Sequence, residues 1–355
     1  MVLIKKTKYL TLREGFFMDR KTISVIGDGA WGTALALLLN DAGHKVTIWG
    51  AFPDYIDEVR ITRKNDKYLP GVIIPDNITL TADESDCFDG CGLIVLATPS
   101  KFMRSICRRI KPFIRQARCN APYMSVAKGI ENDTLLRMSE VISQELETDN
   151  VAVLSGPTHA EEVARSIPSA VVAASNKPDL SEWIQSLFST ERFRVYSSSD
   201  LKGVELGGSL KNVIAIAAGI CDGLGFGDNT KAALITRGLA EMTRLGVVMG
   251  ADPFTFSGLS GMGDLIVTCA SRHSRNRGLG EKIGSGMTLD EALQTTEKVA
   301  EGVYSAKSVH SLSRKLRIEM PISEKVYEVL YENRPCLDAL SDLMMRIPKP
   351  EIDYV

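Results

Sequence analysis

Apolar and polar positions alternate along the first half of the chain as they do in βαβ units, with short apolar runs followed by amphipathic stretches. The pattern predicts strands over residues 22–26, 45–49, 92–97, 123–127 and 151–154. The later runs are apolar almost end to end, as expected of parallel strands covered by helices on both faces. A further strand pair is expected at 170–174 and 193–196. Between the first two strands an Ala- and Leu-rich helix is predicted from Thr33 to Asp41, stopped by Gly43. After residue 197 the period changes. Helices are predicted near 200–221, 230–248, 253–258, 278–285, 288–294, 302–317 and 322–332, separated by glycine loops and without a convincing strand. The fold class read from this pattern is α/β, a doubly wound sheet over 21–196 followed by an all-helical domain over 197–355 that carries the substrate chemistry. Residues 1–20 read as a disordered extension, and Met18, directly before the first strand, as an alternative start.

Composition narrows the function classes. The net charge of −2 over 355 residues argues against a general nucleic-acid surface. Seven cysteines without regular spacing do not form a secreted disulfide framework, and with four scattered histidines and no CxxC pair no metal site is expected. No apolar run approaches the roughly 18 residues of a membrane span, and the basic first residues lack the apolar core of a signal peptide. The expected location is therefore cytoplasmic, with no membrane or nucleic-acid partner.

Gly27-x-Gly29-x-x-Gly32 lies between a predicted strand and a predicted helix, which is the Rossmann dinucleotide fingerprint in its proper context. Gly27 permits the tight turn, Gly29 lets backbone approach a pyrophosphate, and Gly32 lets helix and strand pack closely. The helix N-terminus then offers unpaired N–H groups to phosphate. NAD or NADP is the implied cofactor. The second strand ends in Trp49-Gly50-Ala51-Phe52-Pro53, with neither the acid that marks NAD nor an arginine that marks NADP. Asp54, Arg60 and Arg63 are more distant candidates, and the choice stays open.

Loops after later strands carry Thr98 to Phe102, Lys128-Gly129 and Ser155 to Thr158. A lysine directly after a buried strand is costly unless it faces a cleft or an anion, so Lys128 is a candidate ligand for a phosphorylated substrate; the alternative is a solvated strand end. Lys211-Asn212 lies in a helix with Gly207 and Gly208 on the same face, and each such glycine costs about 1 kcal/mol relative to alanine. Bare backbone there would let a substrate or nicotinamide ring come close. An apolar stretch follows, so burial would disfavour the charged amine and suit it as a general base, unless the side chain snorkels to the surface. A second polar cluster holds Asp264, able to orient that lysine, and Thr268 one helical turn on. It continues into a basic loop with Ser274, Arg275 and Asn276, in which an arginine fork suits phosphate oxygens. RNA contact, or a merely solvated loop, is the rival reading of that loop.

GDGAWGTALA, TRKNDKYLPGV, AKGIE, LSGPTHAEEV, the long block from Glu205 to Met242, LSGMGDLIVTC, SRNRGLG and VAEGV together resemble the NAD(P)-dependent glycerol-3-phosphate dehydrogenases of bacterial type, from Thr22 nearly to the end. The resemblance implies reversible hydride transfer between glycerol 3-phosphate and NAD(P)+, supply of glycerol 3-phosphate for phospholipid synthesis, and a homodimer. It makes Lys211 the proton acceptor, with Asp264 as its catalytic partner. Lys128, Gly156, Thr158, Lys211, Asn212, Asp264, Thr268, Ser274, Arg275 and Asn276 would contact substrate. Gly27, Gly29, Ala30, Trp31, Gly32, Phe102, Lys128, Ala160, Arg275, Val299 and Glu301 would contact the cofactor. Ala51 departs from the family, many members of which have a basic residue there. A β-hydroxyacid dehydrogenase and a catalytically silent nucleotide sensor are the competing readings.

Overall fold

Residues 20–295, 300–348 and 350–351 are described by a computed structural model of the protein. The expected extension before residue 20 lies outside them. Eight strands, β1 (Thr22–Ile26), β2 (Lys45–Trp49), β3 (Thr79–Thr81), β4 (Leu93–Leu96), β5 (Tyr123–Ser125), β6 (Val151–Ser155), β7 (Ser169–Ser175) and β8 (Phe193–Ser198), form one sheet in the order β3-β2-β1-β4-β5-β6-β7-β8. All neighbours are parallel except β6 and β7. The order reverses between β1 and β4, which opens a crevice at the carboxyl ends of these strands, where such sheets bind ligands.

The continuous apolar runs reflect two covered faces. In β4, Leu93 and Val95 point to one core with α1 (Ala30–Asp41), α2 (Pro53–Thr62), α5 (Ala160–Val163) and α6 (Pro178–Phe188), while Ile94 and Leu96 point to another. That second core is filled from α3 (Met103–Gln116) and α4 (Met138–Leu146). β3 was not expected: it has only three residues and takes its place by pairing with β2, Thr47 opposite Thr79. The expected strand pair forms in parallel register, Val171 opposite Val195, and β8 runs two residues past the expected boundary at 196, to Ser198.

From Leu201 onward the described residues are helical. The centre is α7 (Leu201–Gly223), in which only Lys202, Asp222 and Gly223 escape full burial. An apolar helix buried on every side has no polar stripe to display. By length and composition this helix could cross a membrane, contrary to the expectation that no segment qualifies; its entire apolar window lies inside the protein. Around it pack α8 (Asp228–Val248), α9 (Pro253–Phe256), α10 (Asp264–Ala270), α11 (Arg275–Gly284), α13 (Glu301–Leu316) and α14 (Pro321–Tyr331), while α12 (Leu289–Gln294) lies against α11 and α15 (Cys336–Met344) against α14. α7 and α11 meet backbone to backbone: a Cβ on Gly219 would lie 1.9 Å from the Arg277 carbonyl oxygen, and one on Gly280 would lie 2.1 Å from that of Ile216.

Two expectations are corrected here. The segment read as a basic loop becomes helix from Arg275, because the Ser274 hydroxyl accepts from the Arg277 N–H and caps it. α15 was not predicted at all. A buried ion pair joins the helical part to the sheet layer: Arg137 donates to Glu205 at 2.8 Å, and the same carboxylate accepts from the Ser139 N–H at 2.7 Å.

Candidate active site

The glycine turn lies where β1 meets the crevice, and its three glycines are there for three different reasons. Gly27 has φ +125°, and a Cβ on it would lie 2.7 Å from the Ala97 carbonyl oxygen. A Cβ on Gly32 would sit 2.1 Å from the Gly27 carbonyl oxygen, so helix and turn touch. Gly29 has nothing within 4 Å of its missing Cβ, and as N-cap of α1 it offers no side chain to the first N–H groups. The result is an open cradle of backbone donors, the chemistry a pyrophosphate requires. Ala30 and Trp31 begin α1 on its rim. Asn65, which sequence reasoning passed over, pins the turn by donating to the Asp28 carbonyl at 2.7 Å and to the Thr33 hydroxyl at 2.8 Å.

A cluster of opposite charges lies at the carboxyl ends of β5 and β6. Lys211, from α7, donates to Asp264 at 2.5 Å and to the Thr268 hydroxyl at 2.6 Å. Lys128, from the loop after β5, reaches the other oxygen of Asp264 at 2.7 Å and the Gly156 carbonyl at 3.1 Å. Asp264 is 1 % exposed and Lys211 5 %, so one buried carboxylate holds two ammonium groups. Burial, opposed by Asp264 and reinforced by Lys128, brings Lys211 down to about 8. A turn of π-helix (Leu259–Gly263) delivers Asp264 to the start of α10.

Gly207 and Gly208 serve a different purpose from the one expected. A Cβ on Gly207 would lie 2.5 Å from the Ser260 carbonyl oxygen; one on Gly208 would lie 2.5 Å from the Ser155 hydroxyl and 3.4 Å from the Lys128 stem. Their bare backbone admits other parts of the protein, which bring Asp264 and Lys128 to Lys211. It does not present an open face to a ligand.

An amide chain links the cluster to α11 and α13. Asn212 donates to the Lys128 carbonyl at 3.3 Å, Asn276 donates to the Asn212 side-chain oxygen at 2.9 Å, and Asn276 accepts from the Gly302 N–H at 2.9 Å. Glu301 accepts from the Ser100 N–H at 3.1 Å, and burial raises its carboxyl while Arg275, Lys128 and Lys211 oppose that rise. Arg275 is exposed on the first turn of α11, beside the buried Ser274 and Asn276. Phe102, 47 % exposed, ends the short turn that begins at Ser100, and the Lys101 ammonium lies 4.6 Å from its ring centroid. Thr158 donates to the Gly156 carbonyl at 3.1 Å, and Ala160 opens a single helical turn just beyond. Val299 lies outside the described residues. His159 was overlooked: its Nε2 is buried without a partner among the described residues, and burial, with Lys211 close by, lowers its proton affinity. A lone histidine has no local signature that would have flagged it.

Comparison with known proteins agrees over nearly the whole chain. Residues 22–181 match the N-terminal profile, and residues 200–341 the C-terminal profile, of NAD-dependent glycerol-3-phosphate dehydrogenase. The glycerol-3-phosphate dehydrogenase (NAD(P)+) of Fusobacterium nucleatum is 49% identical over 332 residues, 93% of this chain and 98% of that protein. The Chlorobium phaeobacteroides enzyme of the same name is 50% identical over 335 residues, covering 94% and 99%. The crystal structure of glycerol-3-phosphate dehydrogenase from Coxiella burnetii superposes with a TM-score of 0.88 at 39% identity, over 92% of this chain and 99% of that one. D-mandelate dehydrogenase in complex with NADH shares the fold alone, with a TM-score of 0.58 at 14% identity, over 88% and 98%. The chain belongs to the NAD-dependent glycerol-3-phosphate dehydrogenase family.

Proposed function

We propose that this protein interconverts sn-glycerol 3-phosphate and dihydroxyacetone phosphate with NAD(P)+ or NAD(P)H. The observation that carries the proposal is the Lys211 amine, buried and lowered to about 8, held by Asp264 and Thr268 at the open end of the βα crevice. An amine near that value is available both as base and as acid close to neutral pH. Neutral Lys211 takes the proton from the C2 hydroxyl during oxidation; in reduction its ammonium returns that proton to the ketone oxygen. Bound nicotinamide supplies the acceptor, or donor, of the hydride at C2. Asp264 and Thr268 hold the amine in one orientation, and Lys128 adds a second positive charge toward the developing alkoxide. The Arg275 guanidinium, with the Ser274 hydroxyl and Asn276 amide, anchors the phosphate, so that binding remote from C2 sets its orientation. The Gly27–Gly32 cradle and the Ala30, Trp31, Phe102, Ala160, Val299 and Glu301 positions receive the dinucleotide. The free thiols fit a reducing, cytoplasmic setting, and exposed Leu337, Met344, Met345 and Ile347 near the C-terminus fit a homodimer contact.

The test is a Lys211→Met variant assayed with glycerol 3-phosphate and with a carboxylate β-hydroxyacid, alongside direct dinucleotide binding. Turnover of glycerol 3-phosphate should vanish while binding survives. Normal turnover in that variant, or wild-type oxidation of the hydroxyacid in place of glycerol 3-phosphate, would refute the assignment.

A further inference from the structure

Sheets of this type keep an acid at the end of β2 for the adenosine ribose 2′-hydroxyl, or an arginine nearby for a 2′-phosphate. Here that stretch is Gly50-Ala51-Phe52-Pro53. The arginines that follow are engaged elsewhere: Arg60 pairs with Asp57 at 2.9 Å, and Arg63 donates to the Ile78 carbonyl at 2.9 Å and pairs with Asp76 at 3.3 Å.

An acid reaches the same place from the neighbouring strand. Asp28, between the first two glycines of the turn, is 9 % exposed, and its Oδ2 has no hydrogen-bond partner among the described residues. The Gly27 N–H donates to the Trp49 carbonyl at 2.9 Å, drawing the turn against the end of β2. A Cβ on Gly50 would lie 2.9 Å from Asp28 Oδ2, so the carboxyl rests on the bare backbone that follows β2. The Asn65 contacts with the Asp28 carbonyl and Thr33 hold the turn in that position. A buried acceptor without a donor is costly, and a ligand hydroxyl arriving beside it would relieve that cost. Burial raises the Asp28 carboxyl above its ordinary range, opposed by its own backbone N–H and by the Lys67 ammonium, which lies over the Tyr55 and Tyr68 rings at 5.3 Å and 5.1 Å.

We propose that Asp28 sets the cofactor preference: its carboxylate accepts from the adenosine ribose 2′-hydroxyl and repels a 2′-phosphate, so the protein prefers NAD(H) to NADP(H). This rests on the dehydrogenase reading above. Equilibrium binding of NADH, NADPH and the 2′-deoxyadenosine analogue of NADH, measured calorimetrically without turnover, tests it. The wild-type protein should bind NADH roughly tenfold or more tightly than either other ligand, the size expected of one hydrogen bond to a charged group. Asp28→Ala, shown to be folded by its thermal transition, should lose about that factor for NADH while NADPH binds no worse. NADPH binding as tightly as NADH in the wild type overturns the proposal. So does undiminished binding of the 2′-deoxy analogue, which needs no variant. Failure of the wild type to bind any of the three would instead sink the dehydrogenase reading, and the assignment of Asp28 with it.

Discussion

Asp264→Asn is the most informative change, because it removes one charge and little volume from the point where two lysines converge. In the wild type the carboxylate lies 2.5 Å from Lys211 Nζ and 2.7 Å from Lys128 Nζ, at 1 % exposure. Two unit charges about 4 Å apart interact by about 4 kcal/mol at an effective dielectric of about 20. At about 1.4 kcal/mol per pKa unit, that is about three units as a ceiling, reduced toward one as water enters the site. The carboxylate favours the ammonium form, so its loss moves Lys211 downward from about 8. In glycerol 3-phosphate oxidation the base must be neutral, so kcat/KM rises with pH through the Lys211 value. That limb should stand near 8 in the wild type and fall by about one to three units in Asp264→Asn, bounded below by the substrate phosphate's own ionisation near about 6. With one anchor weakened, the amine is also less well aimed, and kcat at its optimum should drop about a hundredfold. The assay is initial-rate oxidation followed by nicotinamide absorbance from about pH 5 to about pH 10. An unmoved limb, or one displaced upward, would refute the coupling between Asp264 and Lys211.

Gly208→Ala gains up to about 1 kcal/mol of helix propensity, yet its Cβ would press on the Ser155 hydroxyl and the Lys128 stem. Steady-state kinetics should show at least a tenfold loss in kcat/KM with a thermal midpoint close to wild type; unaltered kinetics would mean that Lys128 does not need this contact. Glu241 accepts from the Ile322 and Ser323 N–H groups at the start of α14, and burial pushes its carboxyl up from 4.5 to about 7. The folded state therefore binds this proton more tightly than the unfolded state. The associated stability is complete below about 4.5 and is lost as pH rises through about 7, on the order of 3 kcal/mol in all. Urea titrations of wild type and Glu241→Gln across that window should differ by an amount that changes with pH; a constant difference would count against the burial argument. Arg137→Met strands the buried Glu205 carboxylate and should cost roughly 3–5 kcal/mol in chemical denaturation. A loss under about 1 kcal/mol would indicate that Glu205 simply takes up a proton.

What could be read from the chain alone was whatever depends on neighbours in sequence. The β1–glycine turn–α1 unit announces itself within a dozen residues, because tight turn, open backbone and close packing are each met by a glycine at a set spacing. The apolar strands and the all-round apolar α7 report their burial through composition, so the layers and the position of Lys211-Asn212 followed. Tertiary structure decided much that requires a distant partner. β3 exists only by pairing with β2, and the antiparallel direction of β7 leaves no trace in its composition. The purpose of Gly207 and Gly208 becomes visible only once Ser260, Ser155 and Lys128 lie against them. The same holds for Asp28, an unremarkable residue in a glycine motif until the end of β2 packs beside it. Local sequence encodes conformation and hydrophobicity, whereas the proton affinity of an amine or the selectivity of a carboxylate depends on which charges and dipoles the fold brings within a few ångströms.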